Sequence, residues 1–134
     1  MSLNTVRTVV ALVLGAGISL AVEKAQPLEQ HYQAARAALM KDDTGRAKRE
    51  LRLSLQDNPL HAQSHWLLAL LLGREGDIDQ AIVGFQRTAA LDPNNALARY
   101  NLGTALLWRG EPVSAARQLE DAIAIRPGYV PSYN

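Results

Sequence analysis

Few side chains in this 134-residue sequence have the type and spacing for covalent or metal chemistry, and each falls short on its surroundings. There is no cysteine, which removes disulfides, thiolate nucleophiles and zinc–thiolate sites. Of the three histidines, His31 and His65 occupy equivalent places one repeat apart. Neighbouring helices would let them share a metal, but no third ligand stands at a workable spacing and Glu29 is the nearest carboxylate. Half-buried rings filling a packing position are the plainer reading. Asp42-Asp43 and Glu120-Asp121 are paired acids, yet capping at a turn and solvation of a helix face account for them. Gly15-Ala16-Gly17 resembles the opening of a dinucleotide-binding turn. That fingerprint wants glycine or alanine where Leu20 stands, and no βαβ setting follows. Arg46, Lys48, Arg49 and Arg52 form the densest cationic group. A solvated helix face explains them, and contact with anionic lipid or an acidic partner is the sharper alternative. A net charge near +1 gives no case for nucleic acid. The sequence therefore predicts no catalysis, no cofactor and no metal.

The elements that position these residues announce themselves by a period. Pro59, Pro93 and Pro127 stand 34 residues apart, and Ala47, Ala81 and Ala115 keep the same interval. So do Leu51, Phe85 and Leu119, and so do Ala35, Ala69 and Gly103. A fixed interval of this length is the signature of a stacked repeat array. Each unit holds two apolar runs of helical period. In the second unit these are Trp66 to Leu72 and Ile78 to Leu91, separated at Gly76-Asp77. Glycine tolerates the positive φ that ends a helix, and Asp77 with Gln80 reads as a capping box for the next. Asp92-Pro93 ends the second helix, because proline disfavours the α region in the residue before it. The third unit repeats this with a turn at Gly110-Glu111 and Pro112 in the first turn of its second helix. The first unit is more degenerate, with Asp42-Asp43 in place of Gly-Asp.

Small residues explain how each pair closes. Antiparallel helices approach only where side chains are small at the crossing: Ala35, Ala69 and Gly103 on first helices, Ala47, Ala81 and Ala115 on second helices. Leu51, Phe85 and Leu119 fill the space around it, while Ser54, Thr88 and Ala122 let the next helix lie close. The expected fold is all-α, with repeats at 28–61, 62–95 and 96–129 and the start of a fourth at 130–134. With 48% apolar residues, one domain over 27–134 has enough core along the stack.

These units resemble the tetratricopeptide repeat family. The match runs through Tyr100-Asn101-Leu102-Gly103, Gly110, Ala115, Leu119, Ala122 and Pro127; Trp66, Leu68, Ala69, Gly76, Ala81, Phe85 and Pro93; and Ala34, Ala35, Ala47, Leu51 and Pro59. One departure is that the family's aromatic early in the first helix is replaced by His31, His65 and Arg99, with Tyr32, Trp66 and Tyr100 one place later. The resemblance implies a right-handed α-solenoid whose concave groove is lined by first helices and holds a partner's peptide or helix. It places Tyr32, Arg36 and Met40, then Trp66, Leu70 and Arg74, then Tyr100, Thr104, Leu107 and Trp108 on or near that groove. Tyr32, Arg36, Trp66, Leu70, Arg74, Tyr100, Thr104 and Trp108 are the candidate partner-binding residues; the alternative is that some rings pack between repeats. Relatives that clamp a chaperone's terminal carboxylate use lysine and asparagine at inner places. Tyr32 and Arg36 in the first unit do not support that use. Asn101 is similar to asparagines lining the arm of glycosyltransferases with such repeats, though Gln33 and Leu67 hold the equivalent places.

The ends carry their own expectations. Thr8 to Val22 is uncharged, follows Arg7 and precedes Glu23-Lys24. It reads as a secretory signal peptide with Ser19-Leu20-Ala21 as a cleavage site, or as a retained apolar helix anchoring residues 1–26, short of the roughly 20 residues that cross a bilayer. Both imply export to the bacterial inner membrane or periplasm, rather than a cytoplasmic place. At the other end Leu119 and Ile123 lack a capping helix, which points to a longer array, a covering partner or self-association. The functional expectation is an exported or membrane-tethered scaffold or assembly subunit. The alternatives are the substrate-recognition arm of a larger enzyme and a structural subunit of a large membrane complex.

Overall fold

The computed structural model describes residues 29–128, and every regular element among them is helical. Helix α1 covers 29–39. It is followed by α2 (Thr44–Asp57), α3 (Ala62–Arg74), α4 (Ile78–Leu91), α5 (Ala96–Arg109) and α6 (Pro112–Ile125). The apolar segment Thr8–Val22, Gly15-Ala16-Gly17 and the opening of a fourth repeat lie outside the described residues. Among those described, no helix is long and apolar enough to cross a membrane.

The turns inside the pairs occupy one phase of the repeat. Gly76 and Gly110 end α3 and α5 with φ of 91° and 85°, and Asp42 ends α1 with φ of 56°. Glycine adopts this left-handed conformation freely, whereas aspartate tolerates it at a cost. The next residue then caps the following helix. Asp43 accepts from the Arg46 amide, and Asp77 accepts from both the amide and the side chain of Gln80. Glu111 makes no such bond, and Pro112 takes the first position of α6 instead.

Between pairs a second row of caps appears. His61 caps α3 through Nδ1, and Asn95 caps α5 through Oδ1, 3.0 Å from the Ala98 amide. The histidine cap leads inward: the Ser64 hydroxyl lies 2.7 Å from His61 Nδ1 and 2.8 Å from the Ser54 hydroxyl. Both serines are fully buried. Since Nδ1 accepts from the Ser64 amide, Ser64 donates its hydroxyl proton to the ring and accepts from Ser54, so both hydroxyls are satisfied.

Packing follows the small-residue rows. Ala35, Ala47, Ala69, Ala81, Gly103 and Ala115 are all buried where paired helices cross. The closest approaches are at glycine. A Cβ on Gly103 would lie 2.7 Å from Leu119 Cγ, and one on Gly84 would lie 2.6 Å from Ala69 Cβ and 3.2 Å from the His65 carbonyl. Two apolar cores result. One gathers Ala35, Ala38, Ala47, Leu51, Leu67 and Leu71, and the other Ala69, Ala81, Ile82, Phe85, Leu102, Ala105, Leu106 and Ala115. Trp66 and Leu70 pack against both, joining the first repeat to the rest. Leu119 is half-buried and Ile123 exposed at the far end.

Two substitutions should move stability in opposite directions. Gly84→Ala forces a methyl into the α3–α4 crossing and should cost about 1–3 kcal/mol. Asp42→Gly relieves the left-handed aspartate and should add up to about 1 kcal/mol. Urea denaturation of each single variant measures both; equal midpoints would contradict the crossing and the turn as described.

Candidate functional site

The first helices lie side by side. Helix α3 contacts α5 as well as its own partner α4, and α1 shares the first core with α3. Where α3, α4 and α5 meet, a trough of about 690 Å³ opens. Its floor is apolar, formed by Leu70, Ile78, Ala81, Phe85 and Ala105, and Gly73 and Gly76 keep one wall low. Arg74, Thr104 and Trp108 stand around it and Asn101 reaches into its wall. That volume falls in the range of roughly 300–1,000 Å³ typical of ligand sites.

Four of the eight residues named from sequence, Leu70, Arg74, Thr104 and Trp108, therefore share one cavity. The other four do not line it. Arg36 is exposed on α1, one repeat away. Tyr32 packs against the first core and meets the His61 ring edge-on, with centroids 5.3 Å apart and planes at 68°. Trp66 packs against both cores, and its indole N–H is sealed from solvent without a partner among the described residues. Tyr100 is half-buried, and its carbonyl accepts the Thr104 hydroxyl at 3.0 Å. The row of rings expected along the groove is thus divided: Tyr32 and Trp66 serve packing between units, whereas Trp108 is 78% exposed.

Asn101 is the residue that sequence reasoning left out of the site. It is only 7% exposed, and its side-chain amide has no hydrogen-bond partner among the described residues. Its amide atoms stay open to the trough, so a group seated there can bond them. The signal in the sequence was an asparagine inside an otherwise apolar helical stripe.

The histidine positions have a polar use. His65 Nε2 donates to the Pro59 carbonyl at 2.7 Å, and Arg99 Nε donates to the Pro93 carbonyl at 3.3 Å, the same bond one repeat later. His31 pairs with Glu50 at 2.7 Å, as Arg99 contacts Gln118 at the equivalent place of α6. These side chains tie each first helix to the proline turn before it or to its own second helix. No three metal-ligating side chains gather among the described residues. Of the cationic group on α2, Lys48 pairs with Glu75 at 2.6 Å. Arg109 bonds Asp79 and Glu111; these contacts, Asp79 foremost, raise its pKa above the ordinary arginine value and staple α5 to α4.

Sequence models of the tetratricopeptide repeat match residues 32–94 and 72–134. The chain belongs to the tetratricopeptide repeat family. No curated protein matches it by sequence. Among solved structures it is similar to an O-GlcNAc transferase of Thermobaculum terrenum, at 30% identity and a TM-score of 0.72, over 79% of this chain and 20% of that one. YrrB, a repeat protein described as having an unusual peptide-binding site, is 22% identical with a TM-score of 0.69, over 76% of this chain and 53% of YrrB. The second repeat domain of Spaghetti (RPAP3), solved with the HSP90 peptide SRMEEVD, is 16% identical with a TM-score of 0.73, over 83% of this chain and 99% of that domain. This chain thus spans about half of YrrB and a fifth of the transferase.

The two tryptophans should separate cleanly. Trp108→Ala should leave stability within about 0.5 kcal/mol, and Trp66→Ala should cost about 3 kcal/mol or more. Thermal unfolding followed by circular dichroism checks this; a Trp108 variant as damaged as the Trp66 variant would remove Trp108 from the surface.

Proposed function

We propose that this chain is a non-catalytic protein-binding scaffold whose groove receives a segment of a partner protein. The observation that carries the reading is the trough between α3, α4 and α5: an apolar floor beside an exposed tryptophan, an arginine and an asparagine amide open to the trough. Aromatic and arginine side chains around a desolvated pocket are the usual seat of interface energy. The peptide-binding relatives YrrB and Spaghetti share the fold and support the same use. In this reading the pairs follow the right-handed superhelix of the family, with Tyr32, Arg36, Trp66 and Tyr100 extending the groove beyond the trough. The uncharged run Thr8–Val22 supports export or tethering at a bacterial membrane, with the repeats on the periplasmic side.

A second reading, a substrate-recognition arm of a larger enzyme, is favoured by the 30% identity with the Thermobaculum transferase over 79% of this chain. In both readings the groove holds protein. The partner of the scaffold is bound and kept, whereas the substrate of an arm is presented to a catalytic domain and released.

A photo-crosslinking residue, benzoylphenylalanine, in place of Trp108 should capture partner protein, and the same residue in place of Arg87 on the outward helix α4 should not. Capture of equal strength at both positions would move the binding surface away from the groove.

A further inference from the structure

We infer that the outward side of α2 lies against an anionic lipid surface, with Arg46, Arg49 and Arg52 on the lipid phosphates and Leu53 at their boundary. The choice of lipid rests on the chain being tethered at a membrane.

Charge on α2 is sorted by side. Ala47, Leu51 and Ser54 are buried and turn one side of the helix into the stack. Its two acids, Glu50 and Asp57, both stand near His31 of α1, at 2.7 Å and 3.8 Å. Lys48 is taken by Glu75, and Arg46 lies 3.9 Å from the Glu50 that His31 already holds. Arg49 and Arg52 have no ion-pair partner among the described residues. Both are exposed, and Leu53 beside them is 40% exposed. Steps of three residues keep Arg46, Arg49 and Arg52 on one broad side of the helix. Asp42 and Asp43 belong to the turn before it, and Asp43 is spent on the Arg46 amide.

This charge is not a feature of the stack. Helix α2 carries four cations and two acids, α4 one of each, and α6 one cation and two acids. The places of Arg49 and Arg52 hold Val83 and Gln86 on α4, and Arg117 and Glu120 on α6. The buried row of Ala47, Ala81 and Ala115 stays constant meanwhile. Packing therefore asks for the alanines and leaves the arginines to another use.

Position along the chain decides which use. Residues 23–28 alone separate the uncharged run ending at Val22 from α1. A link of that length spans on the order of 20 Å at most. With the run held in a bilayer, the repeat brought to the head groups is the basic one. Guanidinium forks bind phosphate oxygens in pairs, and their apolar stems and Leu53 suit the boundary between head group and acyl chain. Each cation near an anionic leaflet strengthens contact about fivefold. Three arginines on one helix fall short of the basic stripe that a nucleic acid needs.

The chain has no cysteine, so Gln56→Cys, exposed on the same side of α2, takes a single environment-sensitive dye. Ala37→Cys on α1 carries the dye in a control chain. Each full-length chain is floated with vesicles of phosphatidylcholine alone and with phosphatidylglycerol added. Both vesicles should float the chain, but only the anionic ones should shift the dye at position 56 to the blue. The dye at position 37 should not respond. High salt should reverse the shift, since it shortens the reach of exposed charges. Arg49→Gln with Arg52→Gln should abolish it with the circular dichroism unchanged, and lysine at both places should keep it. Flotation without a dye shift, a shift on neutral vesicles, or indifference to the glutamine pair overturns the inference and leaves the tether standing. A shift produced by polyglutamate or RNA without vesicles overturns it in favour of an acidic macromolecule. Flotation on neither vesicle overturns the tether and the inference together.

Discussion

The structure depends on how closely two helices can approach at each crossing. Helix pairs in this chain meet where one side offers alanine and the other alanine or glycine, and large side chains would hold them apart. Gly84 against Ala69 and Gly103 against Leu119 and Ala115 leave no room for a further carbon. From those contacts the rest follows. Close pairs bring Phe85, Ile82, Leu102 and Leu106 into one core, and a pair alone leaves an apolar side that only the next pair can cover. The trough lies where this covering is incomplete, at the junction of α3, α4 and α5.

Polar groups fix the register that the apolar contacts leave loose. Caps at His61 and Asn95, and bonds from His65 and Arg99 to the carbonyls of Pro59 and Pro93, recur one repeat apart. Histidine and arginine are different side chains, yet each has a ring or guanidinium N–H that reaches the same carbonyl. The departure from the family's usual aromatic at this place is therefore a change of fastening. It also frees the following position for a ring, and Tyr32 and Trp66 use it to pack between units.

Most of the fold was legible because a period of 34 residues repeats its own punctuation. Prolines, the glycine turns and the alanine rows state helix ends and crossings without reference to anything distant. The Asp77–Gln80 cap and the first-turn Pro112 were readable for the same reason. The His61 cap was not, because histidine is an uncommon cap and its role depends on Ser64 and Ser54 being buried beside it. Gly84 was missed as well: one glycine inside a helix says nothing until its neighbour across the crossing is known. In the groove, Leu70, Arg74, Thr104 and Trp108 follow from the resemblance to the repeat family, but the floor comes from α4, and no pattern within α3 or α5 reveals that Ile78 and Phe85 close it.

The repeats agree where they hold one another and disagree where they face the groove. The crossing rows read alanine, alanine, glycine and alanine throughout; the turn row reads aspartate, glycine, glycine. The inner rows read arginine, leucine, threonine at 36, 70 and 104, methionine, arginine, tryptophan at 40, 74 and 108, and glutamine, leucine, asparagine at 33, 67 and 101. Packing forces the first set toward sameness, because each unit must fit the next by the same geometry. The fold constrains the second set only in part: Leu67 and Leu70 pack with the cores, whereas Met40 is 90% exposed and Trp108 nearly as bare, so neither of these contributes to them. Exposed apolar surface of that kind is a cost in water that the solenoid has no structural reason to bear. Set beside an unmatched Arg74 and an unpaired Asn101, it describes a surface whose complement lies in another chain.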